Sequence, residues 1–171
     1  EQARMGWLNA IPLVVFIPVS HAIALAIVAY ILPIAHREVV PHMLSLLKLE
    51  EASNFPFACV FLAGAFTMLS FYPSLLYTVA TEKGLNNSTP REQKKRQTGL
   101  GARLQGAHYN MIESFPVFAG AVITCHLLNP GANEYMAALC AIYIHCRILF
   151  QVFYTVNIGI LRSLSFIISF E

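Results

Sequence analysis

The stretch "GARLQGAHYNMIESFPVF", residues 101–118, decides the reading of this chain. It opens a run that is otherwise apolar as far as Leu128, yet it carries Arg103, His108, Asn110 and Glu113. At helical spacing Arg103, Ala107, Asn110, Glu113 and Val117 recur every three or four residues, so they share one face. A carboxylate and an amide that deep in an apolar helix require polar partners on a neighbouring element.

The surrounding composition makes that helix a membrane helix. Of 171 residues, 57% are hydrophobic and only 12% charged, with mean hydropathy +0.60. An ordinary soluble domain carries about a quarter charged residues. Several apolar runs approach the roughly 20 residues that cross a bilayer. The alternating ten-residue segments of a membrane barrel are absent. The class is therefore an all-α integral membrane protein whose first partner is the lipid bilayer. A net charge of +2 and a pI of about 8.4 are too mild for nucleic-acid binding.

Placement of charge sets the orientation. Six of the eleven basic residues (Lys83, Arg91, Lys94, Lys95, Arg96, Arg103) fall between 81 and 103. That cluster marks the loop 81–98 as the cytoplasm-like face by the positive-inside rule. Cys59, Cys125, Cys140 and Cys146 sit in apolar runs without CxxC spacing and read as buried small hydrophobes. Residue 1 is Glu, so the lack of a targeting segment carries no weight.

Two regions are expected. Residues 1–54 form an extension: a transmembrane helix from Trp7 to Leu32, loosened at Pro12 and Pro18, then an amphipathic segment over 35–54 lying at the membrane surface. Residues 55–171 form the membrane domain. Its first helix runs from Phe57 to Ala80, with Ser53 or Asn54 as cap and Pro56 in the first turn. The next runs from Ala102 to Leu128, "NPGAN" at 129–133 turns the chain, and a third runs from Glu134 to Val156. After "NIG", 157–159, the stretch from Ile160 to Phe170 is half a span.

Depth pairs the polar residues. Glu113 lies ten residues in from Arg103, and Arg147 ten residues back from Asn157, so both sit roughly 15 Å from the basic face. An unpaired charge there costs at least about 2.5–3.5 kcal/mol, so Glu113 and Arg147 are expected to be partners. Arg147, Phe150 or Gln151, and Tyr154 share a face, and Arg162 with Ser163 follows the turn at the same end as Arg103. The plainer alternative is that such a pair only fixes helix register. His21, His126 and His145 have no second ligand at metal spacing, so no metal site is expected, and His108 lies off the polar face. There is no GxSxG, HExxH or phosphate-binding loop. What remains is a cationic cleft between helices, suited to an anionic water-soluble cofactor meeting a lipophilic substrate.

These residues resemble a known family. "RLQGAHYNMIESFPVF" is similar to the second-helix signature R-x-x-R-A-x-x-N-x-x-E-x-x-P-x-F of the membrane-associated proteins in eicosanoid and glutathione metabolism, the MAPEG family. "RILFQVFYTVNIGILRSLSF", 147–166, resembles the end of that family's third helix and the start of its fourth. The likeness covers about 57–171, especially to smaller bacterial-type members. It implies a four-helix bundle, here with an extra N-terminal transmembrane helix, assembled as a homotrimer with glutathione between protomers near the cytosolic face.

Carried over by position, the resemblance implies that Asn110 and Glu113 hold the peptide, Glu113 taking its α-amino group. Arg147 matches a buried arginine, and Tyr154 a tyrosine that touches glutathione. Arg162 and Ser163 match the catalytic pair that holds the thiolate, since an adjacent guanidinium lowers a thiol pKa from about 8.5. Gly106 stands where the signature has its second Arg, and Arg103 one turn earlier substitutes for it in part. Phe150 and Phe166 replace possible tyrosines. The implied function is glutathione-dependent transfer or peroxide reduction on a lipophilic electrophile. The alternative is a non-catalytic accessory subunit docked in a larger membrane complex through its extension.

Overall fold

The computed structural model describes residues 19, 21–49, 52–82, 84–130 and 133–170. The expected start of the first helix at Trp7, with Pro12 and Pro18, lies outside them. Among the described residues the structure is helical, with no strand. Four helices are long and apolar enough to span a bilayer: α1 (His21–Leu47), the pair α2 (Phe55–Leu69) and α3 (Phe71–Thr81), α5 (Gly99–Leu128) and α6. The last of these runs over Asn133–Thr155. A short α4 (Pro90–Lys95) lies in the loop, and α7 (Gly159–Ile168) is the half-span expected at the end.

α1 differs from the sequence reading. The expected break near residue 35 is a π-helical turn, Ala35–Val39, that continues directly into Val40–Leu47. The amphipathic stretch therefore extends the first helix without a boundary as far as Leu47. Lys48 closes it in the left-handed conformation, at φ 53°, and Leu49 donates back to the Leu44 carbonyl at 3.1 Å.

The first helix of the membrane domain is broken at Ser70. Pro73 supplies no amide hydrogen, and its ring crowds the Leu69 carbonyl four residues back, so the ladder restarts at Phe71. Ser70 Oγ donates to the Thr67 carbonyl at 2.7 Å, covering part of the break. Pro56 does occupy the first turn of α2, but Asn54 precedes it without a side-chain cap. α5 passes through Pro116 unbroken, which membrane helices tolerate.

α6 is the central helix. Ala137, Ala138 and Ala141 are almost fully buried, and these small side chains let neighbouring backbones approach closely. The core joins them to Ala35 and Val40 of α1, Phe55, Cys59 and Ala63 of α2, and Phe118 and Val122 of α5. Phe118 stacks on Tyr143 with ring centroids 3.7 Å apart. Cys59, Cys140 and Cys146 are buried free thiols as expected, whereas Cys125 is exposed on the protomer surface. Asn157, at φ 65°, turns the chain from α6 into α7, a left-handed conformation that Asn adopts more readily than most residues.

Candidate functional site

The polar face of α5 meets α6, which in turn packs on α7. Arg147 is 1% exposed, and its Nη1 donates to Asn110 Oδ1 at 2.8 Å. Four aromatic rings surround its guanidinium: Tyr143, Phe150, Phe166 and Phe170, with centroids 4.8–5.6 Å from Cζ. Ring faces stabilise a desolvated cation. Arg147 Nε and Nη2 are buried without a hydrogen-bond partner.

The expected Glu113–Arg147 pair is not formed. Glu113 is exposed on the protomer surface, and the amide of Asn110, three residues earlier, takes the arginine instead. Three residues turn a helix by about 300°, enough to carry Glu113 off the line that faces Arg147.

About two turns along α6 from Arg147, toward the basic face, Tyr154 packs over Gly106. A Cβ on Gly106 would stand 2.6 Å from Tyr154 Oη and 3.1 Å from its Cζ. The space that a side chain at position 106 would take is thus filled by a phenol. Arg162 of α7 lies over the other part of that ring, its Cζ 4.8 Å from the centroid. Arg103 donates from Nε to the Thr155 carbonyl at 3.1 Å, which ties it to the end of α6. Gln151 donates to the Ala107 carbonyl at 3.4 Å.

Arg162 and Ser163 line a cavity of about 640 Å³ with Ile23, Gly159, Ile160, Leu164 and Ile167. Its walls are apolar apart from that pair. Ile23 belongs to α1, so the first helix contributes to the wall of this cavity.

The MAPEG family model matches residues 55–170. This chain belongs to the MAPEG family. No curated protein and no solved structure matches it. The MAPEG match begins at the first residue of α2 and takes in every helix after it, so α1 lies outside the matched region.

Within this MAPEG domain the structure joins four of the seven expected residues, Asn110, Arg147, Tyr154 and Arg162, in one chain of contacts, with Ser163 and Arg103 beside it. Asn110 meets Arg147, the aromatic rings connect Arg147 through Phe150 to Tyr154, Tyr154 meets Arg162, and Ser163 adjoins it; Arg103 closes the end of α6. Glu113 stands apart. Sequence reasoning missed the aromatic cage, although Tyr143 and Phe150 seven residues apart, and Phe166 and Phe170 four apart, were its visible signal. It also missed the Gly106–Tyr154 contact, which only the crossing of two helices defines.

Proposed function

We propose that this MAPEG protein activates the thiol of glutathione for transfer to, or reduction of, a lipophilic electrophile. The observation that carries the reading is the pairing of Arg162 with Ser163 on the wall of an otherwise apolar cavity. A guanidinium and a hydroxyl in such surroundings stabilise a thiolate, the nucleophilic form, and the apolar walls suit a lipid-soluble acceptor. The buried Nε and Nη2 of Arg147 are further donors without acceptors, as a site for an anionic peptide requires.

Glu113 supports a homotrimer. A carboxylate facing lipid at that depth costs at least about 2.5–3.5 kcal/mol, so its exposed position favours cover by a neighbouring protomer or by a bound α-amino group. Arg103, Asn110, Glu113, Arg147 and Tyr154 would then hold glutathione near the face of the basic loop, the cytoplasmic side of an endoplasmic-reticulum or organellar membrane.

A second reading rests on Gly106. Tyr154 occupies the space where a carboxylate-clamping arginine would begin, and α1 shares the core of α6. A MAPEG fold that lost its ligand and kept a docking helix would be an accessory subunit. Calorimetric titration of the purified protein with glutathione separates the two. Saturable heat with one site per protomer interface supports the enzyme. Its absence at millimolar glutathione, from a protein that is folded, supports the subunit.

A further inference from the structure

A second cationic cavity lies on a different face of α5. The loop before it is an ordered structure, held by two buried glutamines. Gln93 Nε2 donates to the Gly84 carbonyl at 2.9 Å and its Oε1 accepts from Asn86 N at 2.8 Å, while Gln97 Nε2 donates to Thr78 Oγ1 at 2.7 Å. The short α4 packs on α5, and Lys94 reaches Phe71 at the start of α3, with Nζ 3.8 Å from the ring centroid.

Lys94 is only 9% exposed. Among the described residues no carboxylate forms an ion pair with it; the Phe71 ring is its neighbour. A lysine that deeply buried is ordinarily paired. Beside it is a cavity of about 330 Å³ whose polar lining is Lys94, Arg91, His108, Gln105 and Tyr109, the last two joined by a 3.1 Å hydrogen bond from Gln105 Nε2 to Tyr109 Oη. His108 is fixed there by a 2.8 Å hydrogen bond between its Nδ1 and Ser70 Oγ. The opposite lining is apolar, chiefly Phe71, Leu75 and Leu85.

We propose that this cavity binds the phosphate headgroup of an acidic membrane lipid, with Lys94 and Arg91 on the phosphate and the start of an acyl chain along Phe71 and Leu75. A free phosphate would satisfy the cations but leave the apolar wall bare. A lipid covers both, and the basic face of a membrane protein is the side on which acidic headgroups concentrate. Gln105 and His108 point away from the line of Arg103, Asn110 and Glu113 around α5, so within the protomer the lipid site is separate from the thiol site.

The test uses the full chain in phosphatidylcholine nanodiscs, with native mass spectrometry after exposure to short-chain phosphatidic acid. Wild type should retain phosphatidic acid at least about tenfold better than phosphatidylcholine of the same chain length, and Lys94→Met should abolish that preference. Arg91→Gln, at an exposed position, should weaken it in part and serves if Lys94→Met does not fold. Equal retention of both lipids, or a preference unchanged by either substitution, overturns the proposal. So does displacement of phosphatidic acid by an equal concentration of inorganic phosphate, which would assign the site to the free ion.

Discussion

Arg147 and Asn110 hold each other at 2.8 Å across α6 and α5, and the carboxylate one turn beyond, Glu113, takes no part. The cation at mid-membrane is thus stabilised by an amide and a ring of aromatic faces. The energetic consequences differ from those of an ion pair.

Asn110→Leu leaves the buried guanidinium without its hydrogen bond, and should cost about 1.5–3 kcal/mol. Glu113→Gln removes a charge that has no partner among the described residues of the protomer, and should leave the ligand-free protomer at least as stable as wild type. Arg147→Met should cost less than Asn110→Leu, because a flexible apolar side chain fits among four rings and removes the buried charge. Denaturation of the three variants in one detergent checks the order. A Glu113→Gln loss as large as that of Asn110→Leu would restore the ion pair.

Gly106 and Tyr154 should behave as a unit. Gly106→Ala puts a methyl 2.6 Å from Tyr154 Oη and forces the ring to move, at a cost of about 1–3 kcal/mol. In a Tyr154→Ala background that cost should vanish, because nothing fills the space and alanine favours helix over glycine by about 1 kcal/mol. A double-mutant cycle reads the coupling directly. Additive losses would show that the phenol does not rest on Gly106.

Lys94 gives a pH dependence with a definite sign. Burial holds its pKa below the ordinary value of 10.5, which the unfolded chain retains. Its protonated form therefore disfavours the folded state most fully below the folded pKa. That penalty fades as pH rises toward 10.5. The lipid-free protein should gain stability with pH in that alkaline window. Lys94→Met should remove the gain and melt higher at neutral pH. Arg91 and His108 face Lys94 across the cavity, so the comparison is made against Lys94→Met alone. Identical alkaline slopes in the two proteins would show that Lys94 is well solvated.

Much of the fold was legible because membrane helices announce themselves by length and apolarity. α5 and α6 begin and end within a few residues of their expected bounds, and Asn157 marks the turn between α6 and α7. The break at Ser70 was encoded in Pro73, whose effect depends on how the strain is shared along the helix. The continuity of α1 through Ala35–Val39 was hidden because its charged residues mimic a surface segment. At the site, residue types were legible but pairings were not. Equal depth suggested Glu113 for Arg147, and helix rotation, which depth does not contain, gave it Asn110.

The measurement closest to the central claim is the ultraviolet absorbance of glutathione thiolate bound at neutral pH, in wild type and in Arg162→Ala. Arg162 lies over Tyr154 and beside Ser163 on the wall of the apolar cavity. Lowering a thiol pKa from about 8.5 by two units corresponds to about 2.7 kcal/mol, so at pH 7 wild type should show a thiolate band that Arg162→Ala largely loses, with the thiolate population, and reactivity toward an aromatic electrophile, falling roughly 25-fold. Arg162→Lys should recover part of it by keeping the charge. A folded wild-type protein with no thiolate band at saturating glutathione, or a band unchanged in Arg162→Ala, would contradict the account.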